Sequence, residues 1–221
     1  MLLVDPAYRR RGIGTALLKA AIDRVENVGA VRLDATPTGK KLYDTLGFRE
    51  EYRLARWQRM AAPHLREPNI QCQKVDRQTA PDSVRDISRE IVRFDSPIFG
   101  AERGKILNTL LQNAPQYAHY VQRGAQIVGY CMGRSGSNFE QIGPIVAQES
   151  EVAQALILSE LQRCADRNVI VDVLVNQKDW VAFLRDLGFG EQRPFIRMYR
   201  GELRPSGQPE KQFAIAGPEI G

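Results

Sequence analysis

Two short stretches of this chain repeat. Asp44-Thr45-Leu46-Gly47-Phe48 returns 141 residues later as Arg185-Asp186-Leu187-Gly188-Phe189. Each stretch follows a strand-like run and a short helical pattern, and each leads into another strand. A repeated strand–helix–strand unit points to two related copies of one supersecondary module. The glycine in each marks a helix stop, where a left-handed residue is needed.

The first copy begins at once. Ile13, Leu17, Ala21, Val25 and Val28 recur at helical spacing, widened by Leu18 and Ile22, with Gly29 as the stop. Val31, Leu33 and Ala35 alternate with Arg32 and Asp34, as in a strand with one polar face. Thr36-Pro37-Thr38 opens a short helix through Leu42, Tyr43 and Leu46, and Phe48 to Met60 reads as a long strand or hairpin. The pattern divides the chain into a first copy over 1–60, a linker over 61–70 containing Pro63 and Pro68, a second copy over 71–200 and an irregular tail over 201–221. In the second copy, helices are expected around Val84–Ile91 and Ile106–Leu111, and a hairpin turns at Gly124. A strand over Phe139–Ala147, a long helix through Ala153–Cys164, a strand over Val169–Val175, a short helix at Trp180–Leu187 and a strand at Pro194–Arg200 complete it.

Ahead of the first helix stands Leu2-Leu3-Val4-Asp5-Pro6-Ala7-Tyr8-Arg9-Arg10-Arg11-Gly12-Ile13-Gly14-Thr15. This reads as a strand ending in a basic turn with two glycines, then a helix N-terminus. Backbone N–H groups in such a turn, backed by the helix dipole, make a site for phosphate. Charge agrees with that placement. Residues 1–70 hold 13 Lys and Arg against 8 Asp and Glu, and the remaining chain is balanced at 18 and 18. A local basic excess suits a polyanion, such as a phosphorylated cofactor or nucleic acid, or is simply a solvated surface. The aromatic residues do not interleave with the basic ones, which argues against single-stranded nucleic acid.

Other chemistries find little support. Three widely spaced cysteines (Cys72, Cys131, Cys164) and two histidines form no metal-ligand pattern, so no metal is expected. Cys131 and Cys164 sit among apolar residues and read as core. No apolar run approaches the roughly 20 residues needed to cross a bilayer, and a reduced, cytoplasmic setting is expected. His64, His119, Asp95 and Glu102 are the remaining candidates for a base or an amine anchor. Gly133-Arg134-Ser135-Gly136-Ser137 lacks the lysine ending of a P-loop.

Taken together, Val4 to Gly14, Leu17-Leu18, Leu42-Tyr43 and Leu46-Gly47-Phe48 resemble the GNAT superfamily of acetyl-CoA-dependent N-acetyltransferases. The resemblance implies an α/β fold: a mixed, mostly antiparallel sheet flanked by helices, here a partial first copy followed by a complete second one. It implies acetyl-CoA as co-substrate and no metal. The pyrophosphate would lie on the backbone of Arg9, Arg10, Arg11, Gly12, Ile13, Gly14 and Thr15, and the pantetheine and acetyl group against Leu3 and Val4. Tyr43 would protonate the departing thiolate, a role open to a phenol with a pKa near 10; as a bare pattern, without the motif, it reads as a core tyrosine on an amphipathic helix. The acceptor would be a small-molecule or peptide amine.

The match has departures. Thr36 stands where the family often has asparagine, and Gly39 where an alanine is usual. The front elements of a full module are not present ahead of Leu2. That leaves residues 2–4 as a sheet edge open to another chain or a second copy, and makes an inactive, acyl-CoA-binding or partner-binding protein the alternative reading. In the second copy, Gln148-Glu149-Ser150-Glu151 replaces the glycine turn and Leu184 replaces Tyr43. That half is expected to help bind the acceptor or the partner copy.

Overall fold

The structure is a computed structural model of the chain and describes residues 4–25, 29–62, 66–75, 81–202 and 207–219, with backbone only for 81–85. Six helices flank one sheet of nine strands among these residues: α1 (Ile13–Asp23), β1 (Ala30–Ala35), α2 (Pro37–Thr45), β2 (Arg49–Arg59), β3 (Gln73–Lys74), α3 (Pro81–Phe99), α4 (Gly104–Asn113), β4 (His119–Arg123), β5 (Gln126–Ser135), β6 (Glu140–Ala147), α5 (Ser150–Arg163), β7 (Val169–Leu174), α6 (Lys178–Asp186), β8 (Gly190–Gly201) and β9 (Gln212–Ala214). The strand order is β1-β8-β2-β7-β6-β5-β4-β3, with β9 paired to β6. Every pairing is antiparallel except β6 with β7. This is the expected mixed, mostly antiparallel α/β fold.

The repeat is visible in three dimensions. α2 and α6 are both nine residues long. Each ends at a glycine in the left-handed region, Gly47 at φ 81° and Gly188 at φ 87°. The amide of Phe48 then donates to the Tyr43 carbonyl, and that of Phe189 to the Leu184 carbonyl. Beyond those turns the chain does something the pattern alone does not disclose. β2 lies between β7 and β8, and β8 lies between β1 and β2. The two copies have exchanged their last strands.

Pleat alternation assigns the layers. Val31, Leu33 and Ala35 of β1 meet Ile196 and Met198 of β8, with Leu18 and Ile22 of α1 and Tyr43 and Leu46 of α2 over them. On the same face α5 and α6 cover β4 to β7 and the Ala55–Trp57 end of β2. α3 and α4 cover the opposite face at β4, β5 and β6. There, too, lies a third small core of Leu54, Leu174, Phe195 and Ile215.

Three expectations change. The first helix ends at Asp23 rather than running on to Val28; Arg24 and Val25 form a turn, and residues 26–28 lie outside the described residues. Val4 belongs to no strand, and Leu2 and Leu3 lie outside the described residues. The tail is not irregular throughout. It forms β9, and Gln212 to Gly217 are all buried. β6 and β7 pair over only Glu140–Val169 and Gln141–Ile170 before they diverge. The tail enters that gap, pairing Ala214 with Ile145 and Gln212 with Val146. The Ile215 amide donates to the Asp172 carbonyl on the other side. Contact is so close that a Cβ on Gly143 would stand 2.1 Å from the Ile215 carbonyl oxygen.

Candidate active site

The basic turn is held by short-range bonds at its start. Asp5 caps a single 3-10 turn over Pro6–Tyr8 by accepting from the Ala7 amide, and the Arg9 guanidinium returns to the Val4 carbonyl at 3.2 Å. The chain then passes through two left-handed residues, Arg10 at φ 64° and Gly12 at φ 76°. The second suits glycine; the first is a conformation most side chains resist. Gly12 precedes α1, and its carbonyl accepts from Ala16, the first amide of the helix ladder. Between them, the six amides from Arg10 to Thr15 donate to no partner among the described residues. Helix geometry explains part of this, since the first N–H groups of any helix lack intrahelical acceptors. The result is an exposed run of backbone donors at the positive end of α1, with three arginines alongside. Such an arrangement binds an anion rich in acceptors.

Tyr43 lies on α2, half-buried, with its ring edge-on to Phe48 at 5.9 Å. Its Cε2 atom is 3.3 Å from where a Cβ on Gly39 would stand, so an alanine there would crowd the ring. Its hydroxyl has no hydrogen-bond partner among the described residues. Thr36 caps the same helix by accepting from the Gly39 amide. Tyr43 and α1, through Leu18 and Ile22, therefore lie on the same side of β1, where they pack into one core with Leu33.

The second copy is built differently at the matching places. Gln148 donates its amide to Val128, and Glu149 stands at the N-terminus of α5 in a two-point pair with Arg123 that lowers its carboxyl pKa. Leu184 is fully buried.

The other candidates are committed inside the fold. Asp95 takes both nitrogens of a two-point pair from Arg103 and a hydrogen bond from the buried Tyr130 hydroxyl. Glu102 accepts from the Gly104 amide at the start of α4. His119 pairs with the buried Glu160 between β4 and α5. His64 lies outside the described residues. Cys131 and Cys164 are buried and Cys72 half-buried, and all three are free thiols. Among the described residues no group of three or more His, Cys, Asp or Glu is arranged to hold a metal, and no helix is long and apolar enough to cross a membrane.

Sequence reasoning missed a set of buried ion pairs on the far face of the sheet. Asp34 of β1 faces Arg197 of β8, and Arg56 of β2 faces Asp172 of β7, each pair at directly opposed register positions. Both pairs are two-point, with contacts of 2.7 Å and 2.8 Å. Arg197 also donates to the Tyr52 hydroxyl. Burial pushes the Tyr52 hydroxyl pKa up. Gln141 links Asp172 to Arg134, and Arg134 pairs with Glu219 of the tail. Ala30, Arg32, Leu33, Asp34 and Arg197 from the β1 end, Phe99 from α3, and Pro218 and Glu219 from the tail enclose a cleft of about 340 Å³.

Comparison with known proteins agrees with this architecture. A GNAT acetyltransferase domain model matches residues 91–214, and a second GNAT acetyltransferase model matches residues 1–55. The Bacillus subtilis (strain 168) protein named Uncharacterized N-acetyltransferase YitH is 26% identical over 201 residues, 90% of this chain and 68% of that protein. A candidate acetyltransferase from Pyrococcus horikoshii superposes with a TM-score of 0.74 at 25% identity, over 99% of this chain and 69% of its own. A tandem GNAT protein from the clavulanic acid biosynthesis pathway shares the fold at TM-score 0.55 and 13% identity, over 90% of this chain and 73% of its own. Two α/β modules that share one mostly antiparallel sheet thus form an acetyltransferase architecture. The chain belongs to the GNAT acetyltransferase family.

Proposed function

We propose that the protein transfers acetyl from acetyl-CoA to a primary amine. The observation that carries this reading is the run of six unpartnered amides from Arg10 to Thr15 at the start of α1. Hydrogen bonds to a charged acceptor contribute roughly 1.5–3 kcal/mol each, so three or four suffice to hold a diphosphate. Arg9, Arg10 and Arg11 add charge at the rim. The division into a cofactor-binding copy over 1–60, a linker over 61–70, a second copy over 71–200 and a tail over 201–221 is part of this reading.

With the diphosphate on that turn, pantetheine runs toward Val4 and the open edge of β1. The free amine attacks the thioester carbonyl, a C–N bond forms, the C–S bond breaks, and the Tyr43 hydroxyl gives its proton to the departing sulfur; the nitrogen gives up its surplus proton to water, and the Tyr43 phenolate takes one back from water. A hydroxyl without a protein partner is available for that transfer. The main-chain N–H at Val4 polarises the carbonyl.

The test is a thiol-release assay with acetyl-CoA and a panel of small amines and peptides, alongside calorimetric titration with CoA. Turnover above the amine-free rate supports the reading. CoA binding with no turnover across the panel favours a non-catalytic acyl-CoA-binding protein instead.

A further inference from the structure

We propose that the gap between β6 and β7 is the second copy's counterpart of the place where the first copy takes the thioester arm, and that the chain's own tail fills it. Each chain then binds one acyl-CoA and holds its second site shut. This rests on the acetyltransferase reading above.

The repeat fixes the correspondence. α6 matches α2 through the shared Leu-Gly-Phe stop. Each is preceded by a strand, β7 or β1, and before that by a longer helix, α5 or α1. The run that leads into α1 passes through Val4, and the strand that leads into α5 is β6, ending at Ala147. The space beside Val4 and β1 therefore maps onto the space between the end of β6 and β7. Those two strands pair only at Glu140 with Val169 and Gln141 with Ile170. Beyond that they part, and the edges turned toward each other need partners for their main-chain donors and acceptors. An extended chain that carries amides supplies them, and pantetheine is such a chain.

Here the tail supplies them. Ala214 pairs with Ile145 and Gln212 with Val146 on one side. The Ile215 amide donates to the Asp172 carbonyl at 2.9 Å on the other. Phe213 stands edge-on to Trp180 of α6 at 5.2 Å, and Ile215 packs with Leu54, Leu174 and Phe195. The Gln177 side chain donates to the Pro209 and Gln212 carbonyls, and that of Gln212 to the Ile98 carbonyl. Phe213 to Ala216 are at most 6% exposed, so a second arm has no room while the tail is seated.

The start of α5 is closed to a diphosphate as well. Where α1 offers six amides without partners among the described residues, the Gln148 amide is tied to the Val128 carbonyl. Glu149 precedes α5 and Glu151 lies in its first turn, so the positive end of that dipole already faces carboxylates. What the gap itself suits is the arm alone, without its diphosphate.

The experiment is hydrogen–deuterium exchange of the full chain, read by mass spectrometry, with CoA and with pantetheine, alongside calorimetric titration with CoA. In the parent, CoA should bind at one equivalent per chain, slow exchange over 10–15 and leave 145–152 and 212–216 unchanged. A second equivalent, or faster exchange over 212–216 when CoA is added, overturns the proposal. Ile215→Ala removes one anchor of the tail and leaves β6 and β7 as they are. Its tail should exchange faster, and pantetheine should then slow exchange over 145–148 several-fold, with no such effect in the parent. A loosened tail without that protection overturns the proposal. Should Ile215→Ala fail to fold or to loosen the tail, Gly143→Ala pushes on the Ile215 carbonyl from β6 and takes its place; where neither serves, the parent's stoichiometry decides. CoA that leaves 10–15 unprotected sinks the acetyltransferase reading, and pantetheine on the loosened tail then decides the gap by itself.

Discussion

Asp34 and Arg197 stand 163 residues apart in sequence and directly opposite each other in the β1–β8 ladder, joined by two contacts of 2.7 Å and almost wholly buried. Burial pushes the Asp34 carboxyl up against the pull of Arg197, and Asp34 in turn holds the guanidinium protonated beyond its usual range. Arg56 and Asp172 repeat the arrangement one exchanged strand away.

Removing one partner of the first pair leaves a buried charge uncompensated. Asp34→Asn should cost about 3–5 kcal/mol, read as a lower urea midpoint at unchanged slope. The double variant Asp34→Leu with Arg197→Leu should recover most of that loss, because the desolvation of both charges is then avoided. A double variant no better than the single one would show that the pair does more than satisfy itself.

Gly12→Ala tests the proposed diphosphate site with little disturbance elsewhere. A Cβ at this position meets nothing within 4 Å, so only the left-handed backbone is penalised. That cost is about 1–2 kcal/mol, and it falls on the turn. The KM for acetyl-CoA should rise several-fold while the melting temperature moves by a few degrees at most.

Tyr43→Phe keeps the ring in its packing place against Phe48 and deletes only the hydroxyl. If that hydroxyl is the acid, kcat should fall by about 100-fold or more with little change in either KM. A variant with full activity would leave Tyr43 as a core residue alone.

The tail is held by a backbone-to-backbone approach at Gly143. Gly143→Ala drives a Cβ into the Ile215 carbonyl, and overpacking of this kind costs about 1–3 kcal/mol. Limited proteolysis should then cut after Lys211 in the variant well before it cuts the parent.

The thiols should be inert in the folded chain. Burial raises the pKa of Cys72, pushes that of Cys164 up to about 12, and raises that of Cys131 well above its ordinary value, with the nearby Glu160 carboxylate adding to all three. An aromatic disulfide reagent at pH 8 should label none of them quickly, and all three once denaturant is added.

Much of this was legible before any coordinates. Leu46-Gly47-Phe48 and its echo at Leu187-Gly188-Phe189 announced the repeat because a helix stop of that shape demands a left-handed glycine. The apolar stripe through Leu18 and Ile22 and the alternation around Leu33 placed α1 and β1 against one core. The exchange of β2 and β8 was hidden because either strand, read alone, fits equally well beside its own predecessor. Local pattern carries register but not partner. Its trace was there in retrospect. Arg56 and Arg197 each fall eight residues after the phenylalanine of the repeat, and a buried arginine at matched positions needs a buried acid opposite it. The tail misled for a different reason. Its prolines and glycines read as irregular, yet Gly217 serves close packing rather than freedom, as does Gly143 of β6 where the tail lies against it.

The exchange has a consequence for anyone who would divide this polypeptide. A break between residues 62 and 66 would leave an amino-terminal piece holding the strand its counterpart needs, and a carboxy-terminal piece holding the reverse. Neither piece could close its sheet alone, yet mixed in solution they carry complementary ladders and matched acid–base partners. Reconstitution from fragments, not independent folding, is what this topology dictates.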